Sequence, residues 1–403
     1  MTGSPPHAAP AAWILTPPGA STLEIWGLTP AERLRRSLVR AEAAPIRTLD
    51  AGEGLETGGP ALLARGDWIY DERLIEALVR APSTVLVTPA AGGVPVAAHV
   101  PADRAEETLA AIRAGESTAP AGLRAVGPDE LAPAYTAKLR KAEPPYLLPA
   151  RPELAREIEG RTFAASYKGA TDLVTKWVWP VPARAATRRL AAMNVHPNTV
   201  TIASWVLAVA VFWLFARGNF GVGLAAAWLM TFLDTVDGKL ARVTLTSSRL
   251  GDVLDHGLDL VHPPFWWWAW GVGLGWAFAP ATLVVVGGYF AGRALEGIFL
   301  LAFGMETHCW RPVDTLFRTI TARRNPNLIL FSVGFLSGRP DLGMIMVALW
   351  TLASLAFHAV RLLQAFAARS RGQQIEPWDE GLKLAFRSIE KTARQERQEE
   401  DGE

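Results

Sequence analysis

From Asn198 to Ala368 the chain runs through apolar stretches about as long as a bilayer is thick, and that constrains its fold more than any other feature. A helix needs roughly 20 apolar residues to cross the hydrocarbon core, where every backbone N–H and C=O must be satisfied within the segment. The stretches run from about Asn198 to Ala216, Phe220 to Leu240, Leu250 to Trp276, Ala281 to Phe303, Leu328 to Leu336 with its flanks, and Leu342 to Ala368. The fifth is short and the third is interrupted by Pro263-Pro264, yet together they predict an all-α domain of six transmembrane helices. Basic residues gather in alternate connections. Arg184, Arg188 and Arg189 precede the first span, and Arg242 and Arg249 follow the second. Arg311, Arg318, Arg323 and Arg324 follow the fourth, Arg361 stands in the last turns of the sixth and Arg369 and Arg371 follow it, whereas the other connections hold only Arg217 and Arg339. The positive-inside rule then places both termini, and the loops after spans two and four, in the cytoplasm.

Up to about Pro182 the chain is different, charged and rich in Ala and Pro, so the mean hydropathy of +0.16 averages two unlike parts. Short apolar runs alternate with helical stretches: strands at Ala12–Leu15, Ile46–Leu49, Ala61–Leu63, Thr84–Thr88 and Val94–Val100, helices at Pro30–Ala41 and Glu72–Arg80. That order predicts a soluble α/β sandwich head with a largely parallel sheet over residues 13–126. Residues 1–12, without a basic n-region or long apolar core, are expected to be a disordered N-terminus and no secretory signal. Residues 127–166 are expected to form a linker, 167–371 the membrane domain and 372–403 a charged cytoplasmic tail. The lone Cys309 excludes an intrachain disulfide framework, and 40 basic against 39 acidic residues leave no bulk charge for nucleic acid. Tyr167 to Leu190 sets Trp177 and Trp179 beside Lys176, Arg184, Arg188 and Arg189. This pairing of rings and cations suits an interfacial amphipathic segment in the headgroup layer, with an ordinary surface helix as the alternative.

The second and third spans carry carboxylates. Asp234, Asp237, Gly238 and Ala241 fall at i, i+3, i+4 and i+7, one helical face, and Gly251, Asp255 and Asp259 at successive i+4 steps, again one face. An unpaired charge in an apolar helix costs several kcal/mol, so four carboxylates there point to function. Like charges at close quarters take up protons or bind cations. Oxygen donors without His or Cys at ligand spacing favour Mg²⁺, Mn²⁺ or Ca²⁺ over zinc. A divalent-cation carrier is open to the same carboxylates. Asp252 falls off the Asp255 face, and His256 and His262 are lone histidines, so none of the three is taken as a site residue.

Read as one string, Asp234-x-x-Asp237-Gly238-x-x-Ala241-Arg242, eight residues, then Gly251-x-x-x-Asp255-x-x-x-Asp259 resembles the CDP-alcohol phosphotransferase family at every position of its motif. The resemblance covers roughly Tyr167 to Arg371. It implies a multi-pass homodimeric membrane enzyme of phospholipid or related polyol-phosphate biosynthesis, with its active site at the cytoplasmic face. Such an enzyme moves the phosphoalcohol of a CDP-alcohol donor onto an acceptor alcohol and releases CMP. It further implies Asp234, Asp237, Asp255 and Asp259 at two divalent ions, Mg²⁺ or Mn²⁺, Asp259 as the base on the acceptor hydroxyl, and Gly238, Ala241, Arg242 and Gly251 along the CDP site. Pro197-Asn198-x-x-Thr201 opens the first span, where Asn198 or Thr201 can cap the helix. The resemblance adds a place beside the nucleotide for both.

Arginine forks bind phosphate bidentately, so Arg311, Arg318 and Arg324 are candidates for an acceptor that itself carries phosphate, of the inositol phosphate or glycerol phosphate type. Positive-inside topology is the competing account of these residues. In the fourth span Arg293 and Glu296, at i and i+3, can pair.

The head, with GLTPAERLRRSLVRA followed by LLARGDWIYDERLIEALVRAP, resembles sugar-phosphate nucleotidyltransferase domains. Where that family has a Gly-rich loop after the first strand, this chain has Thr16-Pro17-Pro18-Gly19-Ala20, and proline supplies no N–H to a phosphate. Asp67 and Asp71 match acidic positions, though Asp71 also suits a helix N-cap. The resemblance thus implies a degenerate, inactive head, with a bifunctional cytidylyltransferase and phosphotransferase as the alternative.

Overall fold

The computed structural model describes residues 10–19, 23–89, 93–115, 120–136, 141–167, 169–247 and 249–379; the side chains at 135, 136, 141, 142, 249, 250, 252, 254–256 and 258 lie outside that description. The head contributes β1 (Ala11–Leu15), α1 (Pro30–Arg40), β2 (Ile46–Leu49), β3 (Ala61–Arg65), β4 (Trp68–Tyr70), α2 (Glu72–Val79), β5 (Thr84–Val87), β6 (Pro95–Val100), α3 (Ala105–Ala114), β7 (Arg124–Val126) and α4 (Pro128–Leu131). After them come β8 (Tyr135–Thr136), β9 (Lys141–Ala142), β10 (Leu147–Pro149), α5 (Ala155–Ala165) and α6 (Pro180–Ala192). The apolar half is helical: α7 (Pro197–Ala216), α8 (Phe220–Val243), α9 (Arg249–Gly273), α10 (Pro280–Phe303), α11 (Pro312–Arg318), α12 (Arg324–Leu336) and α13 (Pro340–Ser370).

The head sheet runs β2-β1-β3-β6-β5-β7. Strand periodicity builds its two layers: Ala12, Ile14, Leu62 and Ala64 face the side covered by α1 and α2, while Trp13, Leu15, Ala61 and Leu63 face the side covered by α3. The sheet is mixed and not largely parallel as expected, because β6 runs antiparallel to both β3 and β5. The connection from β5 to β6 spans only residues 88–94, too short for the crossover that parallel strands require. Within the expected linker, β10 pairs with β4, returning that segment to the head. Thr29 caps α1 by accepting from Glu32 N, and Asp71 caps α2 by accepting from Arg73 N.

Among the described residues four helices are long and apolar enough to cross a membrane, namely α7, α8, α10 and α13. Helix α12 has 13 residues, and α9 continues through Pro263 and Pro264 without the expected interruption. Trp266, Trp267 and Trp270 of α9 are fully buried, Trp270 lying 4.3 Å from Phe331 and 4.4 Å from Phe220 between ring centroids. Their indole N–H groups find acceptors, Trp266 on Ala208 O and Trp270 on Pro340 O. Helices α12 and α13 meet at glycines: a Cβ on Gly334 would stand 2.5 Å from Gly343 Cα. Of the two tryptophans expected in the headgroup layer, Trp177 is exposed, whereas Trp179 packs edge-on against Trp228 and Phe232 of α8. The start of the expected tail also packs back, Trp378 donating to Cys309 O and Thr315 Oγ1.

The head and the helical half of the chain are joined at the C-terminal end of α8. The last carbonyls of a helix lack intrahelical donors, and α1 supplies them: Arg33 Nη1 donates to Val243 O at 2.6 Å and Arg36 Nη1 to Thr244 O at 2.8 Å. Beside this contact the turn Ile25–Leu28 enters between α5 and α6, with Trp26 Nε1 donating to Thr162 Oγ1. Gly27 passes so close that a Cβ would lie 2.7 Å from Ala191 O. Replacing buried Arg33 by Ala removes a charged donor from an orphan carbonyl, a loss of about 1.5 to 3 kcal/mol. Faster proteolytic clipping of the turn after α8 in detergent is the expected result; wild-type clipping would mean that the apolar contacts alone hold the head.

Candidate active site

The site begins with two helices that carry acids on facing sides. Asp234 and Asp237 project from α8, Asp259 from α9, and the side chain of Asp255 lies outside the described residues. The N-terminus of α12 closes the arrangement with Arg324, whose Nη2 donates to Asp234 Oδ2 at 2.6 Å and whose Nη1 donates to Asp259 Oδ1 at 2.8 Å. One guanidinium therefore spans the two helices. A fork with two parallel N–H edges suits this task, and burial strengthens the attraction. The Asp234 side chain is 8% exposed and that of Asp259 54%, so the latter is the carboxylate open to an incoming molecule.

Asp237 is buried and accepts from Thr201 Oγ1 of α7 at 2.7 Å. Thr201, expected beside the nucleotide, thus orients a carboxylate of the Asp set. Asn198 does not cap α7; His196 does, its Nδ1 accepting from Asn198 N. Arg242 folds back along α8 over Gly238, where a Cβ would come within 2.9 Å of its Nη2. On the other side of α8, buried Lys239 donates to Ser166 O at 3.1 Å and sits 3.3 Å above the Tyr167 ring, which fixes the helix against the end of α5.

The basic loop divides into parts. Arg311 is exposed and stacks 4.9 Å from the Trp310 ring, and the structure does not bring it to the aspartates. Arg323 pairs with Glu296 of α10 at 2.5 Å, and Glu296 pairs with Arg293 at 2.7 Å, the internal pair the spacing allowed. Arg318 stands beside this network without an ion pair of its own among the described residues. Burial, with the like charges of Arg323 and Arg293, pushes its guanidinium down to about 9. Asp172, before α6, ties the two ends of the loop together. It accepts from Asn325 Nδ2 and from the amides of Val174 and Thr175, and its charge faces both Arg318 and Arg324.

Sequence reasoning missed Asp172, Lys239 and Tyr289. The last had a signal: Pro263 and Pro264 take away the amides that would serve the carbonyls four residues earlier, those of Asp259 and Leu260. Tyr289 of α10 answers, its hydroxyl lying 2.9 Å from Leu260 O and 3.3 Å from Asp259 O. A helix through two prolines thereby keeps its acceptors satisfied at the turn that presents Asp259.

Among the described residues no three His, Cys, Asp or Glu side chains converge on one point. The donor set nonetheless fits a divalent ion of the Mg²⁺ or Mn²⁺ type. It consists of carboxylate oxygens on two facing helices, already gathered around a positive charge.

Residues 194–323 match the CDP-alcohol phosphatidyltransferase family. The matched segment contains the whole Asp234-to-Asp259 spacing, and the family it resembles is a family of transferases. The chain is also 30% identical over 160 residues to the bifunctional IPC transferase and DIPP synthase of Rubrobacter xylanophilus, a match covering 38% of this chain and 33% of that protein. It therefore matches about a third of that relative's length. Arg324, which bridges Asp234 and Asp259, lies one residue beyond the matched segment.

Replacing Tyr289 by Phe leaves two carbonyls at a proline break to compete for weaker donors, at a cost of about 1 to 3 kcal/mol. The expected outcome is a lower Tm in detergent together with weaker Mn²⁺ binding by electron paramagnetic resonance, because the turn bearing Asp259 shifts. A lower Tm with wild-type Mn²⁺ affinity would limit Tyr289 to stability.

Proposed function

We propose that the chain is a multi-pass membrane transferase that moves the phosphoalcohol group of a CDP-alcohol to an acceptor alcohol and releases CMP. The observation that carries this reading is the meeting of Asp234 and Asp259 from α8 and α9 around one guanidinium, inside the segment matched by the family. In this reading α9 and α12 complete a six-span bundle with α7, α8, α10 and α13, and the site and both termini face the cytoplasm. Two copies form a homodimer.

Asp234, Asp237 and Asp255 would hold two divalent ions, Mg²⁺ or Mn²⁺, with Asp259 beside them. When bound, the metal neutralises charge on the diphosphate as CMP leaves. Thr201 keeps Asp237 aimed by its hydrogen bond. Gly238, Ala241, Arg242 and Gly251 would line the nucleotide, Gly238 leaving room for the Arg242 guanidinium along α8. Asp259, the open carboxylate, would take the proton of the acceptor hydroxyl as that oxygen attacks phosphorus.

Arg318 is the leading candidate for a phosphate on the acceptor, in the inositol phosphate or glycerol phosphate class. It is a partly buried cation without an ion pair among the described residues, and it feels the like charges of Arg323 and Arg293 as well as the opposite charges of Glu296 and Asp172, so a phosphate would add a direct partner. Arg324 would join it once released from the carboxylates. Arg311, held on Trp310, serves as an internal control.

The head would be a nucleotidyltransferase fold without catalysis. Asp67 is held in a bidentate pair by Arg65, and Asp71 is occupied by its cap and by Arg73, so neither acid stands open for a metal. The name of the Rubrobacter relative favours a second reading, in which the head makes the CDP-polyol donor. Pyrophosphate release from CTP and a polyol phosphate by the full chain would support that second reading.

A panel of CDP-donors against free and phosphorylated alcohols, with CMP release as readout, tests the proposal; release from no pair would reject it. Asp255→Asn should abolish CMP release and weaken Mn²⁺ binding while the protein stays folded, and wild-type turnover would remove Asp255 from the metal set. Arg318→Ala should raise acceptor KM roughly ten- to a hundredfold with little change in donor KM, from a loss of about 1.5 to 3 kcal/mol. Arg311→Ala should leave both constants near wild type, and equal effects from the two variants would favour topology as the role of the loop.

A further inference from the structure

A cavity of about 990 Å³ opens between α5 and α6; no member of the aspartate set is among its described lining residues, and the proposed transfer does not use it. Among the described residues lining it four are cationic, Arg156, Lys176, Arg184 and Arg188, and none is acidic. Arg188 is held by Glu159 and Lys176 lies over the Trp177 ring, which leaves Arg156 and Arg184 with neither an ion pair nor a ring contact among the described residues. Two buried donors in the lining have no hydrogen-bond acceptor there, Arg184 Nε and the Tyr167 hydroxyl. Buried donors are nearly always satisfied, so such a pair at a basic cavity calls for an acceptor from outside. Burial pushes the Tyr167 hydroxyl up to about 12, which keeps it a donor, and Lys239 of α8 clamps its ring.

The rim has the opposite character. Trp177 is 61% exposed, Val178 53% and Val181 81%, around Pro180 at the mouth. Exposed apolar side chains next to a tryptophan and a ring of cations are what a polypeptide presents at the boundary between headgroups and acyl chains. The volume lies at the upper end of ordinary ligand pockets.

We infer that this cavity binds a phosphate ester, with Arg184, Arg156 and Tyr167 as donors, and that its source is the headgroup of an anionic phospholipid whose acyl chains leave past Val178 and Val181. Guanidinium and phenol donors suit phosphate oxygens that carry charge. An anionic lipid so placed would be bound at the helix that Lys239 and Tyr167 tie to the aspartate-bearing α8.

The full chain in detergent, probed by native mass spectrometry, tests this. The probes are short-chain phosphatidylglycerol, short-chain phosphatidylcholine and inorganic phosphate. Phosphatidylglycerol is expected to bind saturably, with affinity reduced about tenfold, or 1.4 kcal/mol, in Arg184→Ala. Exposed Arg156 can be changed with little risk to folding, and Arg156→Ala should weaken the same binding. Retention that millimolar phosphate leaves intact identifies the lipid as the source; arginine-dependent displacement by phosphate identifies a soluble phosphate ester in the same site. Equal retention of phosphatidylcholine, or phosphatidylglycerol binding unchanged in both variants, would overturn the inference.

Discussion

A carboxylate in an apolar helix needs a counter-charge, and here a single arginine meets that need for two helices. Without Arg324, the facing sides of α8 and α9 would bring negative charges together in a medium that screens them poorly. Much of the surrounding structure places this one side chain. Helix α12 is short, so its N-terminus comes to the level of Asp234 and Asp259, and its other end turns tightly into α13 where Gly334 meets Gly343. Asn325, the next residue, is tied to Asp172, and Asp172 also organises the turn leading to α6. The basic loop, the turn before α6 and the aspartates are thus one electrostatic unit.

The same arginine bears on how the site can operate. A guanidinium between two carboxylates competes with any divalent ion for their oxygens. An ion bearing two charges on a compact centre prevails only when it engages more of the acids than Arg324 reaches. Asp237, held by Thr201, extends the set beyond the pair the arginine bridges.

What could be read from the sequence was local and periodic. Steps of three and four residues placed Asp234 and Asp237 on one face of α8, and the short apolar runs Ala12–Leu15 and Ala61–Leu63 marked strands, which prove buried on both faces. Chain direction in the sheet was not legible from alternation, which is the same in both directions; the brief connection before β6 held the information. Nor does spacing say which of several arginines in one loop turns inward. Arg311 and Arg324 look alike as sequence, yet one lies on Trp310 and the other bridges two helices. Tyr289 was legible only by accounting for backbone groups, since two prolines in a helix must leave two carbonyls for some donor to meet.

The head bears on the site through structure alone at one point. Arg33 and Arg36 hold the carbonyls of Val243 and Thr244, immediately after Arg242, the last residue of the Asp-Gly-Ala-Arg stretch on α8. The turn that follows leads into α9 and Gly251, so the two halves of the site are joined through a segment that the head grips. Helix ends fray when their terminal carbonyls are met only by water. Capping by a separate domain therefore fixes where α8 stops, and with it the register at which Asp234 and Asp237 face Asp259. The α1 arginines therefore act on the geometry of the aspartate site whatever Asp67 and its neighbours do.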